Sequence, residues 1–316
     1  MAGNTTQNTS AVIKGQVYSD IILETLQDGF LPDSLMRDVT DFGNGETLFI
    51  PTVGETVIHD YVEDQPAKYD PVDTGQVTLR ITDYKQAGTY VTDKLKQDAY
   101  ALQAVESQIP SQHLYKIQES YETGLLATAN DQVIGDLNEI NSQPHRFVAQ
   151  STNQVLTMAD FVQMRLSFQK ANVPEQGWVA IVDPITEAAL NQQLGNAVYD
   201  SNPELIGLYQ TGFAKNHKFL RNIMGFDVWV SNRLPRIDSE TIDGSSVENG
   251  VANIFMSVGD DMNKPMMGAW RQMPRTVGDY NKDFFRDEYV TSARWGFGLQ
   301  RKDTLGVVIS SATNYK

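Results

Sequence analysis

The side chains best suited to chemistry are few in this chain, and they are scattered. His59, His113, His145 and His217 are its four histidines. No two of them stand in HExxH or at another spacing that puts both on one helix face, so a zinc hydrolase has no template here. There is no cysteine, which excludes disulfides, thiolate metal sites and cysteine nucleophiles. The GxSxG elbow and the Walker loop are also missing. Gly43-Asn44-Gly45 and Gly296-Phe297-Gly298 each begin a GxGxxG pattern that Leu48 and Arg301 leave unfinished. Both read as turn or strand glycines. Gly259-Asp260-Asp261 with Asn263 has the oxygen ligands for weak calcium binding, but an acidic turn accounts for it more simply. Neighbouring acids such as Glu63-Asp64 and Asp287-Glu288 are common in a chain with 40 acidic residues. Adjacency does not supply the separation that an acid and a base need. No catalytic residue, cofactor or metal is expected.

Charge placement is more informative. The formal net charge is −15, which argues against a protein that coats nucleic acid. It does not forbid a shell around nucleic acid, which gains from not adhering to its contents. Six acids, Glu55, Asp60, Glu63, Asp64, Asp70 and Asp73, face Lys68 alone between 55 and 73. Basic residues gather later: Lys215, Lys218, Arg221, Arg233 and Arg236, then Arg271, Arg275, Lys282, Arg286, Arg294, Arg301 and Lys302. This asymmetry fits an acidic segment of one copy lying on a basic patch of another. The contact candidates are the six acids with Arg221, Arg233, Arg271, Arg275 and Arg294.

The elements that position these charges can be read from periodicity. The 316 residues, 41% hydrophobic and 21% charged, make an ordinary globular balance. No run is long enough to span a bilayer, and the polar start MAGNTTQNTS is not a secretory signal. A short helix is expected at Gln16–Leu26. Thr47–Val53 and Val77–Tyr84 read as paired strands, with Pro51 at an edge. Gly54–Gln76 between them reads as the polar, acidic end of a projecting hairpin. Thr92 or Asp93 caps the next helix. Pro110 starts a second helix or kinks a single one, and Leu114, Ile117, Tyr121 and Leu125 mark a long stripe to about Ala129. Thr157 to Asp160 resembles a capping box, with Asp in the Glu place. WVAIV, Trp178–Val182, is a buried strand. Asp183-Pro184 caps and starts a helix ending near Gly195. GFDVWVSNRLP, Gly225–Pro235, is an alternating strand that closes in a turn. Arg236–Gly250 reads as a polar insertion, followed by strands at Ala252–Val258, Met266–Arg271, Glu288–Trp295 and Gly306–Ser310.

In this order the pieces resemble a tailed-phage major capsid protein of the Hong Kong 97 fold, in the style of short-tailed phage coat proteins. The resemblance rests on VTLRITDYKQAGTYVTD, WVAIVDP, GFDVWVSNRLP and ARWGFGLQRKDTLGVVIS. It implies an α+β fold with an N-terminal arm and short helix (1–45), an E-loop hairpin (46–83) and a P-domain with a spine helix (84–134). An A-domain (135–286, with insertion 236–250) and return strands to the P-domain (287–316) complete it. The implied function is self-assembly, as pentamers and hexamers, of an icosahedral shell around double-stranded DNA. The implied partners are further copies, a portal protein, optionally a decoration protein, and DNA held non-specifically, with no membrane. The short run before the E-loop implies a separate scaffolding protein, and assembly is expected in the host cytoplasm. One branch of the fold joins an E-loop lysine to a neighbour's asparagine. Lys68, the sole candidate, lies in an acidic, polar tip instead of the apolar pocket such an attack needs, so no cross-link is expected. The rivals are an encapsulin-type compartment, marked by a cargo-binding pocket, and an acidic hydrolase, which lacks a visible nucleophile.

Overall fold

The computed structural model describes residues 29–31, 33–40, 45–54, 56–64, 66–72, 74–98, 102–131, 139–199, 219–237, 240–242 and 244–313. The helix expected at 16–26 lies outside them. A 3-10 turn, Asp33–Leu35, precedes β1 (Arg37–Asp38). β2 (Thr47–Val53) and β3 (Thr74–Arg80) then form a two-stranded antiparallel ribbon of their own, in register from Thr47↔Arg80 to Val53↔Thr74. Among the described residues no strand covers the other edge of β2, so the missing N–H of Pro51 costs no ladder bond.

β4 (Asp83–Thr92) runs directly into α1 (Asp93–Asp98). Thr92 caps α1, its hydroxyl accepting from the Leu95 N–H at 3.4 Å. α2 (Leu102–Asp131) is a single helix of 30 residues with Pro110 inside it. The helix therefore starts eight residues before Pro110. The proline lies in the first third, before the packed stripe begins. That stripe is His113, Ile117, Tyr121, Leu125 and Ala129, all buried at intervals of four. Leu114, expected in it, is 37% exposed, and His113 takes the buried place.

β5 (Glu139–Ile140) and β6 (Gln143–Pro144) form a small ribbon before β7 (Arg146–Val148). α3 (Met158–Lys170) begins at the expected box, the Asp160 carboxylate accepting from the Thr157 N–H at 2.7 Å. β8 (Trp178–Val182) is buried throughout. α4 (Pro184–Tyr199) is capped by Asp183, which accepts from the Ile185 N–H at 3.0 Å. It runs four residues past Gly195. β9 (Phe219–Ile223) and β10 (Phe226–Val230) make a hairpin through Met224 and Gly225, at φ 51° and 91°. Two successive positive φ values explain the glycine that opens GFDVWV.

β11 (Arg236–Ile237), β12 (Thr241–Ile242) and β13 (Ser245–Ser246) lead into β14 (Gly250–Ser257). The expected polar insertion is thus partly a folded flap. Ile237, Ile242 and Val247 are buried against Val148, Ala252, Val307 and Ile309. Its polar composition concealed three apolar anchors. β15 (Met266–Asn281) and β16 (Arg286–Leu299) form a long hairpin, and β17 (Leu305–Ser311) ends the described fold.

Two main sheets result. The first runs β1-β15-β16-β4, the second β7-β17-β14-β8-β10-β9 with β11 attached to β14. α2 lies on the first sheet, and Tyr121 stacks on Trp270 at 4.2 Å. α3 packs on the second through Phe161, Met164 and Phe168. The sheets divide the C-terminal part differently from a boundary after 286. That boundary falls just inside β16, and β15 and β16 pair along their length. β17 does not return to the first sheet with β16; it pairs with β14 and β7. Its seven residues are all buried, which only an interior strand of the second sheet allows.

Candidate inter-subunit surfaces

The β2–β3 ribbon ends in a tip that has no regular secondary structure at 54, 56–62 and 66–72 and turns at Glu63–Asp64. Among the described residues neither arm of the tip pairs with a strand. Asp60, Glu63, Asp64 and Asp70 are all exposed there, as is Lys68. His59 is paired with Asp70 across the tip. Glu55 and Asp73 lie outside the described residues. The reading of this tip as polar needs correction. Val53, Val57, Ile58, Tyr61, Val62, Tyr69 and Val72 are exposed too, Ile58 to 93% and Tyr69 to 90%. Six acids drew attention away from β-branched and aromatic residues set between them. An exposed apolar set of this size is the kind of patch that marks interaction surfaces.

The first sheet offers a second surface. α2 covers one face, burying Thr291, Ala293 and Trp295. Residues alternate across a strand, so the opposite face carries Tyr84, Tyr90, Val290 and Arg294, in the registers Arg294↔Tyr84 and Glu288↔Tyr90. Tyr84 is 66% exposed. Arg271 and Arg275 are exposed on β15, and Arg294 is half-buried on β16. At the hairpin end Phe284 and Phe285 are exposed, and the Arg286 guanidinium lies 4.4 Å from the Tyr90 ring centre and 4.8 Å from that of Phe284. Arg286 donates to Glu288 at 2.6 Å, and that bond holds the Glu288 carboxyl below its usual range.

Arg233 does not join either surface. It is buried inside the subunit against Glu122 of α2, at 3.3 Å. Glu122 also accepts from the Leu31 N–H at 3.2 Å and the Ser231 hydroxyl at 3.1 Å. Arg233 further donates to Tyr115 and to the Gly29 carbonyl and lies over the Phe30 ring. The turn after β10 is thus bolted to the spine of the first sheet and to the chain's incoming segment. The side chain of Arg221 lies outside the described residues. A second internal pair joins Arg146, fully buried, to Glu240 of the flap, with Arg146 also donating to Asn130 at 2.9 Å. Neither pair was visible in the sequence, because each spans about a hundred residues.

The remaining candidates for chemistry have structural duties. His113 bonds the Thr89 and Thr291 hydroxyls, and burial lowers its pKa. His145 is buried with its Nε2 unpartnered, and burial lowers its pKa as well. Asp261 is held by Lys264 at 2.6 Å, and its pKa is lowered by that bond. Among the described residues no group of three or more His, Asp or Glu could hold a metal. No described helix is long and apolar enough to cross a membrane.

The fold is mixed α and β, with an exposed apolar set at the ribbon tip and polar side chains committed to internal bonds. The phage capsid protein family matches residues 73–310, and the chain belongs to that family. No curated protein matches it. Among solved structures, the capsid of cyanophage P-SCSP1u aligns at 14% identity and TM-score 0.69, covering 95% of this chain and 93% of that one. The mature capsid of bacteriophage PhiM1 aligns at 13% and 0.64, covering 99% and 100%. The capsid of cyanophage Pam1 aligns at 12% and 0.65, covering 99% and 100%. The chain is a structural, non-enzymatic major capsid protein of the virion, and it works by association with copies of itself.

Proposed function

We propose that this subunit forms pentamers and hexamers of an icosahedral shell that encloses double-stranded DNA, with assembly in the host cytoplasm. In this reading the β2–β3 ribbon is the E-loop, the first sheet with α2 is the P-domain and the second sheet is the A-domain. A separate scaffolding protein guides closure, a portal protein occupies one vertex, and a decoration protein is an optional addition outside. The net negative charge keeps the DNA loosely held.

The observation that carries the reading is the exposed tip. Isolated surface ion pairs contribute about 0–1 kcal/mol each. Burying one large aliphatic side chain contributes about 1.5–3 kcal/mol. The apolar residues of the tip therefore drive its contact with a neighbour, and Asp60, Glu63, Asp64 and Asp70 select the basic side on which it lands, with Arg271, Arg275 and Arg294 as candidates. The test is co-expression with the scaffolding protein and electron microscopy of the products. The parent should give closed shells of uniform size, and Ile58→Asp with Tyr61→Asp should leave unassembled capsomers of folded subunits. Reversal of Asp60, Glu63 and Asp64 to lysine should impair closure less severely. Normal shells from the Ile58/Tyr61 variant would remove the tip from the assembly mechanism.

A further inference from the structure

Three buried polar atoms gather at one end of the second sheet. His145 Nε2, Thr304 Oγ1 and Ser257 Oγ are sealed from solvent, and none has a hydrogen bond among the described residues. Their residues are 1%, 4% and 0% exposed. Buried polar atoms are costly to leave unpaired, and native folds rarely tolerate several together.

Register places the three side by side. The last aligned pair at this end of β14 and β17 is Met256↔Leu305. One step further Ser257 stands opposite Thr304, and its N–H donates to the Thr304 carbonyl at 3.2 Å. Residues opposite each other share a face. That face is the α3 side, because Ser257 follows Phe255 by two and Thr304 precedes Val308 by four, and both Phe255 and Val308 pack with Phe161 and Phe168. β7 brings His145 in from the other flank of β17. The Val307 N–H donates to the His145 carbonyl at 2.7 Å, and the His145 ring stacks on Phe168 with centres 5.9 Å apart. Burial lowers the pKa of the ring against an opposing pull from the Gln143 and Asp303 carbonyls and the Asp303 carboxylate. The pull of Asp303 sets the ring beside the 303–304 corner.

Donor and acceptor chemistry then states what would pair these atoms. His145 Nδ1 lies 3.3 Å from the Gln143 carbonyl oxygen. A carbonyl only accepts, so Nδ1 carries the proton of the neutral ring and Nε2 is a bare acceptor. The Thr304 and Ser257 hydroxyls can donate or accept, but neither reaches Nε2 or the other. A water molecule offers two donors and two acceptors and is stable in an interior that gives it two to four polar partners. We propose that a buried water molecule joins β7, β17 and β14 on the α3 face, donating to His145 Nε2 and bonding the hydroxyls of Thr304 and Ser257. The site belongs to the single subunit and does not depend on how copies assemble.

Magnetic relaxation dispersion of solvent water counts long-lived internal waters in free subunits. Thr304→Val combined with Ser257→Ala removes both hydroxyls with little change of shape, and should lose one long-lived water relative to the parent. An unchanged count in the folded variant would overturn the proposal. Two measurements on the unmutated chain decide it if that variant does not fold. Isotope-edited NMR of the His145 imidazole at neutral pH should find the proton on Nδ1; a proton on Nε2 would remove the acceptor and the proposal with it. Electron microscopy of closed shells, at a resolution that shows other buried waters, should show a peak within hydrogen-bond reach of all three atoms. No peak there, or one that misses any of the three, overturns the site.

Discussion

Removing Arg233 should destabilise the subunit more than any surface charge change. The guanidinium and the Glu122 carboxylate are buried together, with side chains 8% and 6% exposed. Deleting one partner of a buried pair leaves an uncompensated charge and costs about 3–5 kcal/mol. In Arg233→Met the carboxylate keeps two donors, the Leu31 N–H and the Ser231 hydroxyl, which places the loss near the lower end, about 3 kcal/mol. In Glu122→Leu the guanidinium keeps Tyr115, the Gly29 carbonyl and the Phe30 ring, so a similar loss is expected. The double variant removes both charges and should recover about 2 kcal/mol or more of the summed loss, since an apolar replacement of a buried pair is often neutral. Urea unfolding of free subunits, followed by tryptophan fluorescence, completes the cycle. Additivity of the two single losses within about 0.5 kcal/mol would refute the pairing and reopen Arg233 as a contact between subunits.

Three further outcomes follow from particular residues. His113 and His145 are held below the ordinary value of 6.5 by burial, so the unfolded chain binds their protons first. Stability should be full above about pH 6.5, fall as pH drops through that value toward their lower folded values, and fall less in His145→Gln, as read by melting temperature from pH 7.5 to 5. A Cβ at Gly296 would sit 2.6 Å from the Ile81 Cα and closer still to the Arg80 carbonyl oxygen, so Gly296→Ala should cost about 3 kcal/mol in urea unfolding, whereas a loss near zero would mean the hairpin base is loose. Lys68 is exposed in an acidic tip, so mature particles boiled in detergent should release one band at 35.3 kDa; a ladder that disappears in Lys68→Ala would contradict this.

Local chemistry was legible in the sequence, and distant pairing was not. Thr157 with Asp160, Asp183 with Pro184, and Gly225 each act within a few residues, and each cap or turn stands where its residue types require. Pro110 shows the limit of a local rule, since tertiary packing on the following turns holds α2 through it. Sheet membership depends on chain reversals that periodicity does not encode. GVVIS reads equally well in either sheet, and its burial on both faces decides for the second. The Glu122–Arg233 bond spans 111 residues, so Arg233 looked like one more free basic residue. The tip failed in the opposite direction. Net charge over a window hides an apolar set interleaved with acids, and exposure alone brings out Ile58 and Tyr61.

In the contact proposed for the tip, that interleaving would keep the segment soluble before assembly and adhesive within a shell. Ile58, Tyr61 and Tyr69 exposed together would invite aggregation. The acids between them raise the cost of bringing two tips together, because like charges repel, but in the proposed contact lower the cost of landing on the arginines of the first sheet. Repulsion between tips is a surface effect that salt screens within about 8–10 Å, whereas apolar burial persists in salt. Raising ionic strength should therefore relax the choice of partner before it weakens the contact. The species to expect at high salt are irregular aggregates of tip-to-tip contacts. A salt titration read by light scattering and electron microscopy would instead show clean dissociation to free subunits if charge, and not the apolar set, held the copies together.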